Sequence, residues 1–383
     1  MAEIYKLYSQ IKHYEWGSPR LLPQFLNLEN NDGSPCAEMW MGTHSGAPSM
    51  AKYGEKLINL AEISGELPFL FKLLGVEKPL SIQAHPNKEQ AEKGFKRENK
   101  AEIAITSHRR NYKDANHKPE ILCALSDFTL MAGFRKTEEI KACVETFLPV
   151  APALNDAFSS MLRALKSGSL SAFIGVLFGL SKIERRYLCA LISDREEIEF
   201  GAFSPAQWEL VKRLAVLYPE DPAIMSPFYL NHITLQSGQA IFIPAGVLHS
   251  YLGGFGIELM ASSDNVLRGG LTRKYTDIQE LMNILDFNPY IPPVCTPDSS
   301  LWFCYKMPCN EFFLALMRGD GTDSFFPVRE AAICIVTEGE LLSSGMKFKK
   351  GESFFIPQNK DGELLSFSGS YSLFAACGGA AAL

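Results

Sequence analysis

Short apolar runs broken by Gly, Pro, Asn and Asp fill the first 135 residues. Pro68-Phe-Leu-Phe-Lys-Leu-Leu74 and Leu80-Ser-Ile-Gln-Ala-His85 are two of them, and they predict strands of an antiparallel β region. Residues 87–105 interrupt it with a helical composition that opens at Lys88-Glu-Gln-Ala-Glu-Lys93. From Thr137 the period becomes helical, first over Glu138–Phe147 and then near 155–167, 169–192 and 205–217. Breakers between Pro219 and Pro227 close this segment. Strand texture returns at Ile233 and continues to about Gly256, a short helix is expected over 276–286, and 300–383 reads as strand and turn. The pattern predicts a mainly β chain with a helical insertion.

The composition narrows the class. The chain has 383 residues, room for two or three domains, with 46% hydrophobic and 21% charged residues as in ordinary soluble proteins. A net charge of −6 gives no support to nucleic-acid or membrane-surface binding. Apolar runs fall short of the ~20 residues of a membrane span. The start Met-Ala-Glu-Ile-Tyr-Lys lacks the basic and apolar stretches of a signal peptide. Nine scattered cysteines without a Cys-x2-Cys pair, Cys304 and Cys309 included, read as reduced thiols of a cytoplasmic protein.

Chemistry concentrates in Gly238-Gln-Ala-Ile-Phe-Ile-Pro244-Ala-Gly246-Val-Leu-His249. A strand over Ala240 to Ile243 runs into a Pro-Ala-Gly reversal, after which His249 points into a barrel. Gln83 and His85 lie two apart on a strand and so share a facing. Glu120 opens the apolar run Glu120-Ile-Leu-Cys-Ala124, where a carboxylate is costly unless paired or metal-bound. Gln83, His85, Glu120 and His249 together offer two imidazoles, a carboxylate and an amide. That set suits Zn²⁺, with Fe²⁺ or Mn²⁺ as alternatives. A lone histidine is more often structural, and His13, His44, His108, His117 and His232 have no comparable context.

The spacing Gly-x5-Pro-x-Gly-x2-His resembles the second metal motif of the cupins. Gly351-Glu-Ser-Phe-Phe-Ile-Pro357 repeats its first half, and Val336-Thr-Glu-Gly-Glu-Leu341 resembles the hairpin that precedes it. Asn359 then replaces the turn glycine and Gly362 the histidine, so this second copy is expected to hold no metal. Longer motifs are more specific. Tyr14-Glu-Trp-Gly17, Ala37-Glu-Met-Trp-Met-Gly-Thr-His44, Ser81-Ile-Gln-Ala-His-Pro-Asn-Lys88, His117-Lys-Pro-Glu120 and Ser263-Asp-Asn-Val-Leu-Arg-Gly-Gly-Leu-Thr-Arg-Lys274 resemble signatures of the type I phosphomannose isomerase family. Two positions depart from that pattern: Gly270, where alanine is expected, and Arg273, where proline is common.

The resemblance implies two cupin-like β-barrel (jelly-roll) domains plus an α-helical domain. Residues 1–136 and 228–290 would form the catalytic barrel, 137–227 the insertion, and 291–383 a metal-free barrel. It implies one Zn²⁺ per chain on Gln83, His85, Glu120 and His249. The implied activity is aldose–ketose isomerisation of mannose 6-phosphate and fructose 6-phosphate through an enediol, supplying mannose phosphate for GDP-mannose synthesis. Phosphate recognition would fall to Ser81, Lys88, Arg268 and Lys274, because a dianion favours clustered cations and Arg binds it bidentately. Lys118, Glu258 and Arg268 are the candidates for the proton transfer, with Tyr14, Trp16 and Trp40 as walls of the sugar pocket. An Fe²⁺ oxygenase is disfavoured by Gln83 as a fourth ligand, since oxygen chemistry needs open positions. A non-catalytic sugar-binding cupin is disfavoured by the cations beside the ligands. The expected partner is a small sugar phosphate; the sequence leaves the oligomeric state open, a monomer being compatible with it.

Overall fold

The computed structural model describes residues 3–195, 202–327, 330–358 and 364–379. Its described strands form an 11-stranded sheet, a nine-stranded sheet and a two-stranded ribbon, all with antiparallel ladders. The strand His249–Ala261 organises the first sheet. Its opening residues pair with Gln83–Ala84 and Phe128–Phe134, and its later residues with Phe69–Val76 and Glu120–Ala124. The register shifts between Tyr251 and Gly253, so one strand serves two layers that face each other. Leu74, Leu122, Leu130, Ile241, Ile243 and Tyr251 fill the space between those layers.

The opposite face of the sheet carries Phe71, Leu73, Ile121, Ile257 and Leu259. It packs on Leu314, Leu316, Ile333, Ile335, Phe355 and Phe374 of the second sheet. Alternation along the strands therefore gives each sheet one face in this shared core and one face of its own. The sheets do not divide where the sequence suggested. Tyr5–Tyr8 pairs with Ser353–Ile356, and Met50–Tyr53 and Lys56–Asn59 extend that ladder. The second sheet thus crosses the expected boundary at residue 291.

The helical insertion follows the sequence period closely, with helices Thr137–Phe147, Asn155–Lys166 and Pro205–Leu217. The stretch expected over 169–192 is two helices, Leu170–Phe178 and Lys182–Ser193. Gly179 ends the first, and Ser181 with Glu184 forms a capping box that starts the second. Phe147, Phe158, Phe203, Trp208 and Phe228 build the aromatic centre of the insertion. Their core is continuous with Ile82, Ala84, Leu267 and Leu271 beneath the ligand-bearing strands.

Other expectations need correction. The helix beginning at Lys88 ends at Lys100, not near 105, because Glu102 adopts φ +54°. Residues 336–341 belong to one strand, Ala332–Ser343; its hairpin turns at Ser344 and Gly345, both with positive φ. Asn359 and Gly362 lie outside the described residues. No described helix is long and apolar enough to cross a membrane.

Candidate active site

Three short-range features bring the four expected ligands together. Glu120 begins its strand opposite Ile243 and Met260. Gln83 stands directly across the ladder from His249. The reversal at Gly246 has φ +77° and lies so close to Ile284 that a β-carbon would sit 2.9 Å from its carbonyl oxygen, so glycine is required there. Gly246 N donates to His85 O at 2.9 Å, tying the two histidine-bearing segments.

The result is a compact polar cluster without solvent. Glu120 is 0% exposed, and His85 and His249 are each 1%. Glu120 Oε1 lies 2.8 Å from His249 Nε2, and Oε2 lies 3.3 Å from His85 Nε2. One donor atom from each residue falls within 4.8 Å of the others. Both imidazoles are oriented from behind. His85 Nδ1 contacts Asn265 O at 2.8 Å, and His249 Nδ1 contacts Val247 O at 3.0 Å, which leaves both Nε2 atoms for the centre. Asn265 is itself fixed: its side chain accepts from Lys113 N and donates to the backbone oxygens of Asp114 and Asn116. Gln83 Nε2 lies 3.3 Å from His249 Nε2; rotating the amide presents its oxygen instead.

His85 Nε2 and Glu120 Oε2 are buried and make no hydrogen bond. The nearby Lys118 ammonium offsets part of the cost at Glu120 Oε2, but a buried imidazole nitrogen without a hydrogen bond costs on the order of 1–3 kcal/mol unless something else binds it. Burial, with Lys118 nearby, pushes His85 down to about 4, so its ring is neutral at neutral pH. Burial would raise the Glu120 carboxyl, but Lys118, His85 and His249 outweigh it and hold it well below the usual range. A neutral imidazole and an ionised carboxylate are the forms that ligate zinc, so the residues fit the ion.

Around this cluster runs a second ionic chain. Lys118 Nζ lies 3.3 Å from Glu120 Oε2. Tyr251 Oη donates to Glu120 Oε1 at 3.2 Å. Lys72 Nζ donates to Glu258 Oε2 at 2.8 Å and lies 3.9 Å from Glu38, which accepts from Trp40 Nε1. Burial would lower Lys72, yet Glu258 and Glu38 outweigh it and raise it. Burial, followed by Glu120 and Glu258, raises Tyr251 well above its usual value.

The remaining expected residues divide. Arg268 faces Gln83 in the ladder, so its side chain leaves the same face as two ligands. Burial lowers its guanidinium. Lys274 is lowered by burial, then by Arg268 and Lys113, so these three cations share one neighbourhood. Ser81 is half-buried beside a strand that covers only Gln83–Ala84, shorter than Leu80–His85. Lys88 is exposed and donates to Ala115 O and Asn116 Oδ1. It lines a cavity of about 490 Å³ with His117, Ser262 and Glu311. Sequence reasoning missed Lys72, Glu38, Tyr251, Asn265 and Lys113. A lysine inside Phe69-Leu-Phe-Lys-Leu-Leu-Gly-Val76 carries the same signal that singles out Glu120: a charge in a strand buried on both faces.

Residues 4–137 match the family model "phosphomannose isomerase type I, catalytic domain". The mannose-6-phosphate isomerase of Escherichia coli strain K12 is 34% identical, covering 93% of this chain and 95% of its own. That of Bos taurus is 30% identical over 98% of each. A crystal structure of zinc-bound mannose 6-phosphate isomerase superposes with a TM-score of 0.86 at 33% identity, covering 98% of this chain and all of that one.

Proposed function

We propose a division of labour at this site from one premise: the chain belongs to the type I phosphomannose isomerase family. It isomerises mannose 6-phosphate, and zinc is its cofactor. Gln83, His85, Glu120 and His249 would hold the ion. The observation that carries this reading is the pair of buried, unbonded atoms His85 Nε2 and Glu120 Oε2. With one anionic ligand among four, bound zinc keeps a net positive charge that polarises a carbonyl or hydroxyl oxygen.

The rest falls to the chain's own groups. Conversion to fructose 6-phosphate moves a proton between C2 and C1, and the acid–base groups proposed for it are Lys118 and Glu258. Lys118 brings N–H donors next to the ligand carboxylate. Glu258 is buried and accepts from Lys72 at 2.8 Å, which fixes where its carboxyl group points. Arg268 and Lys274, with Lys113 beside them, supply clustered positive charge for a phosphate dianion. Ser81 and Lys88 are the further phosphate candidates, and the ladder position of Arg268 opposite Gln83 supports a role for it toward the reacting end.

The two-barrel reading is retained: 1–136 with 228–290, and 291–383 without metal. The shared Gly-x5-Pro turns support it, and residues 5–8 and 50–59 lend strands to the second sheet. Nine free cysteines support a reducing, cytoplasmic setting. Because one chain carries all these residues, a monomer suffices. The test is turnover of mannose 6-phosphate before and after prolonged chelation, with Zn²⁺ added back. Loss and recovery are expected; full turnover in verifiably metal-free protein would sink the zinc reading.

A further inference from the structure

Apart from Lys88, which opens its own helix, the residues assigned so far sit on the β scaffold or its loops, and a carboxylate of the helical insertion bonds to one of those loops. Asp221 lies at the insertion's C-terminal end, just before the turn Pro222–Met225. Its Oδ1 accepts from Ala223 N at 2.9 Å, as an N-cap does. That bond would satisfy the turn. Oδ2, however, accepts from Leu271 N at 2.6 Å across 50 residues of sequence, and the backbone N–H of Thr272 is a third partner.

Leu271 and Thr272 belong to the segment Arg268-Gly-Gly-Leu-Thr. Leu271 is 1% exposed and holds φ +53°, a strained region for a leucine that persists only where surroundings fix it. Gly270, the residue where the family pattern leads one to expect alanine, has φ +116°. A β-carbon there would lie 2.3 Å from Ala223 Cβ and 3.0 Å from Asp221 Oδ1. The other flank is pinned to the ligand strand: Gly269 N donates to Ile82 O at 2.7 Å, and Ile82 N to Gly270 O at 3.0 Å. The segment following Arg268 is therefore gripped between Ile82, next to the ligand Gln83, and the end of the helical insertion.

We infer that Asp221 is a positioning residue for Arg268, holding the Gly270–Thr272 turn so that the guanidinium stays beside Gln83. The helical insertion then contributes to catalysis through this one carboxylate. Gly270 is the matching half of the contact, since the carboxylate and Ala223 occupy the space an alanine would need. The inference rests on the Arg268 assignment above.

A double-mutant cycle tests it, read as kcat/KM for mannose 6-phosphate, with zinc content and Tm measured on each protein. Asp221→Asn leaves an acceptor for Ala223 but turns an N–H₂ toward Leu271. It should keep its zinc and lose about 10- to 100-fold in kcat/KM, the order that a misplacement of 1 Å produces. In an Arg268→Ala background the same change should add less than about twofold, because the group it positions is gone. An undiminished penalty in that background overturns the inference, and so does wild-type activity in Asp221→Asn. If Asp221→Asn does not fold, Asp221→Ser takes its place in the cycle and is read the same way, since its shorter side chain keeps an N-cap acceptor for Ala223 N and gives up the bond to Leu271 N. Arg268→Ala at wild-type activity would instead overturn the assignment of Arg268 itself.

Discussion

The two large sheets share one core, and their outer faces have opposite contents. The first sheet covers a space that Leu74, Leu122, Leu130 and Tyr251 fill in part and that Glu120, Lys72, Glu258, Glu38, His85, His249 and Lys118, each less than a tenth exposed, otherwise line. The second covers a space filled by Phe326, Phe348, Phe354, Phe367, Tyr371 and Leu373. There the Phe348 and Phe354 rings approach to 4.4 Å between centroids. Burying each such ring stabilises the fold by roughly 1.5–3 kcal/mol. Burying each ion costs several kcal/mol before any partner is counted. Charges accordingly occur in the first space only in company, Lys72 with two glutamates and Glu120 with Lys118 and two histidines. One space is packed for stability; the other is kept polar at a cost that only its chemistry explains.

The largest expected effect breaks that comparison if it fails. Elemental analysis of the full chain should give one bound divalent ion, held in the first space. His249→Ala should take that to zero and activity to background. His232→Ala should change neither, because His232 is exposed on the strand Leu230–Leu235. A stoichiometry of two, with ligands from residues 300–383, would mean the second space is also a site.

Next in size is a pair of stability effects that separates the regions. Phe354→Ala should cost about 3–5 kcal/mol by urea unfolding, as large-to-small core changes do, while zinc content and kcat of the folded protein stay at wild type. Lys72→Met should cost a similar 3–5 kcal/mol for a different reason, since it leaves Glu258 and Glu38 buried without their cation. It should also lower kcat, and adding Glu258→Gln should return part of the stability but not the activity. If Phe354→Ala lowers kcat in folded protein, or Lys72→Met proves neutral in stability, the division between a packed space and a working one does not hold.

Much of the working space is legible in local pattern. The strands Glu120–Ala124 and Ala240–Ile243, the start at His249 and the helices of the insertion follow from periods and breakers that lie within a few residues. Each of the four ligands lies at or beside the end of a short strand, which is legible locally, while cross-strand pairing brings them together. What stays hidden depends on partners distant in sequence. Tyr5-Lys-Leu-Tyr8 alternates as a strand should, but alternation gives a face and not a neighbour, and its neighbour is Ser353–Ile356. Lys72 shows locally as a charge in a buried strand, but the partner that meets its cost, Glu258, lies 186 residues away. Lys88 stands near His85 in sequence, but its contacts to Ala115 and Asn116 join segments that no local pattern links.

The smallest expected effect lies at the join between the two regions. His117 Nε2 meets Glu311 Oε1 at 2.5 Å, linking the loop before Glu120 to the residue before the strand Phe312–Asp320. Burial would raise the Glu311 carboxyl, but the hydrogen bond and charge interaction with His117, together with backbone N–H groups, outweigh it and leave the carboxyl below the usual range. With the folded value below the unfolded one, the folded state binds fewer protons. The stabilisation is therefore complete above the unfolded value of about 4.3 and is lost as pH falls through the folded value. Both side chains are 30% exposed, so its size should be no more than about 1 kcal/mol. Glu311→Gln should lower Tm by a few degrees or less at pH 7. That gap should close in acid, both proteins being measured metal-free so that ligand protonation cancels. A gap that persists at low pH would make the contact one of packing and not charge. A gap accompanied by a fall in kcat at pH 7 would mean that the C-terminal region reaches the chemistry through His117, and the two spaces would then be less separate than their side chains suggest.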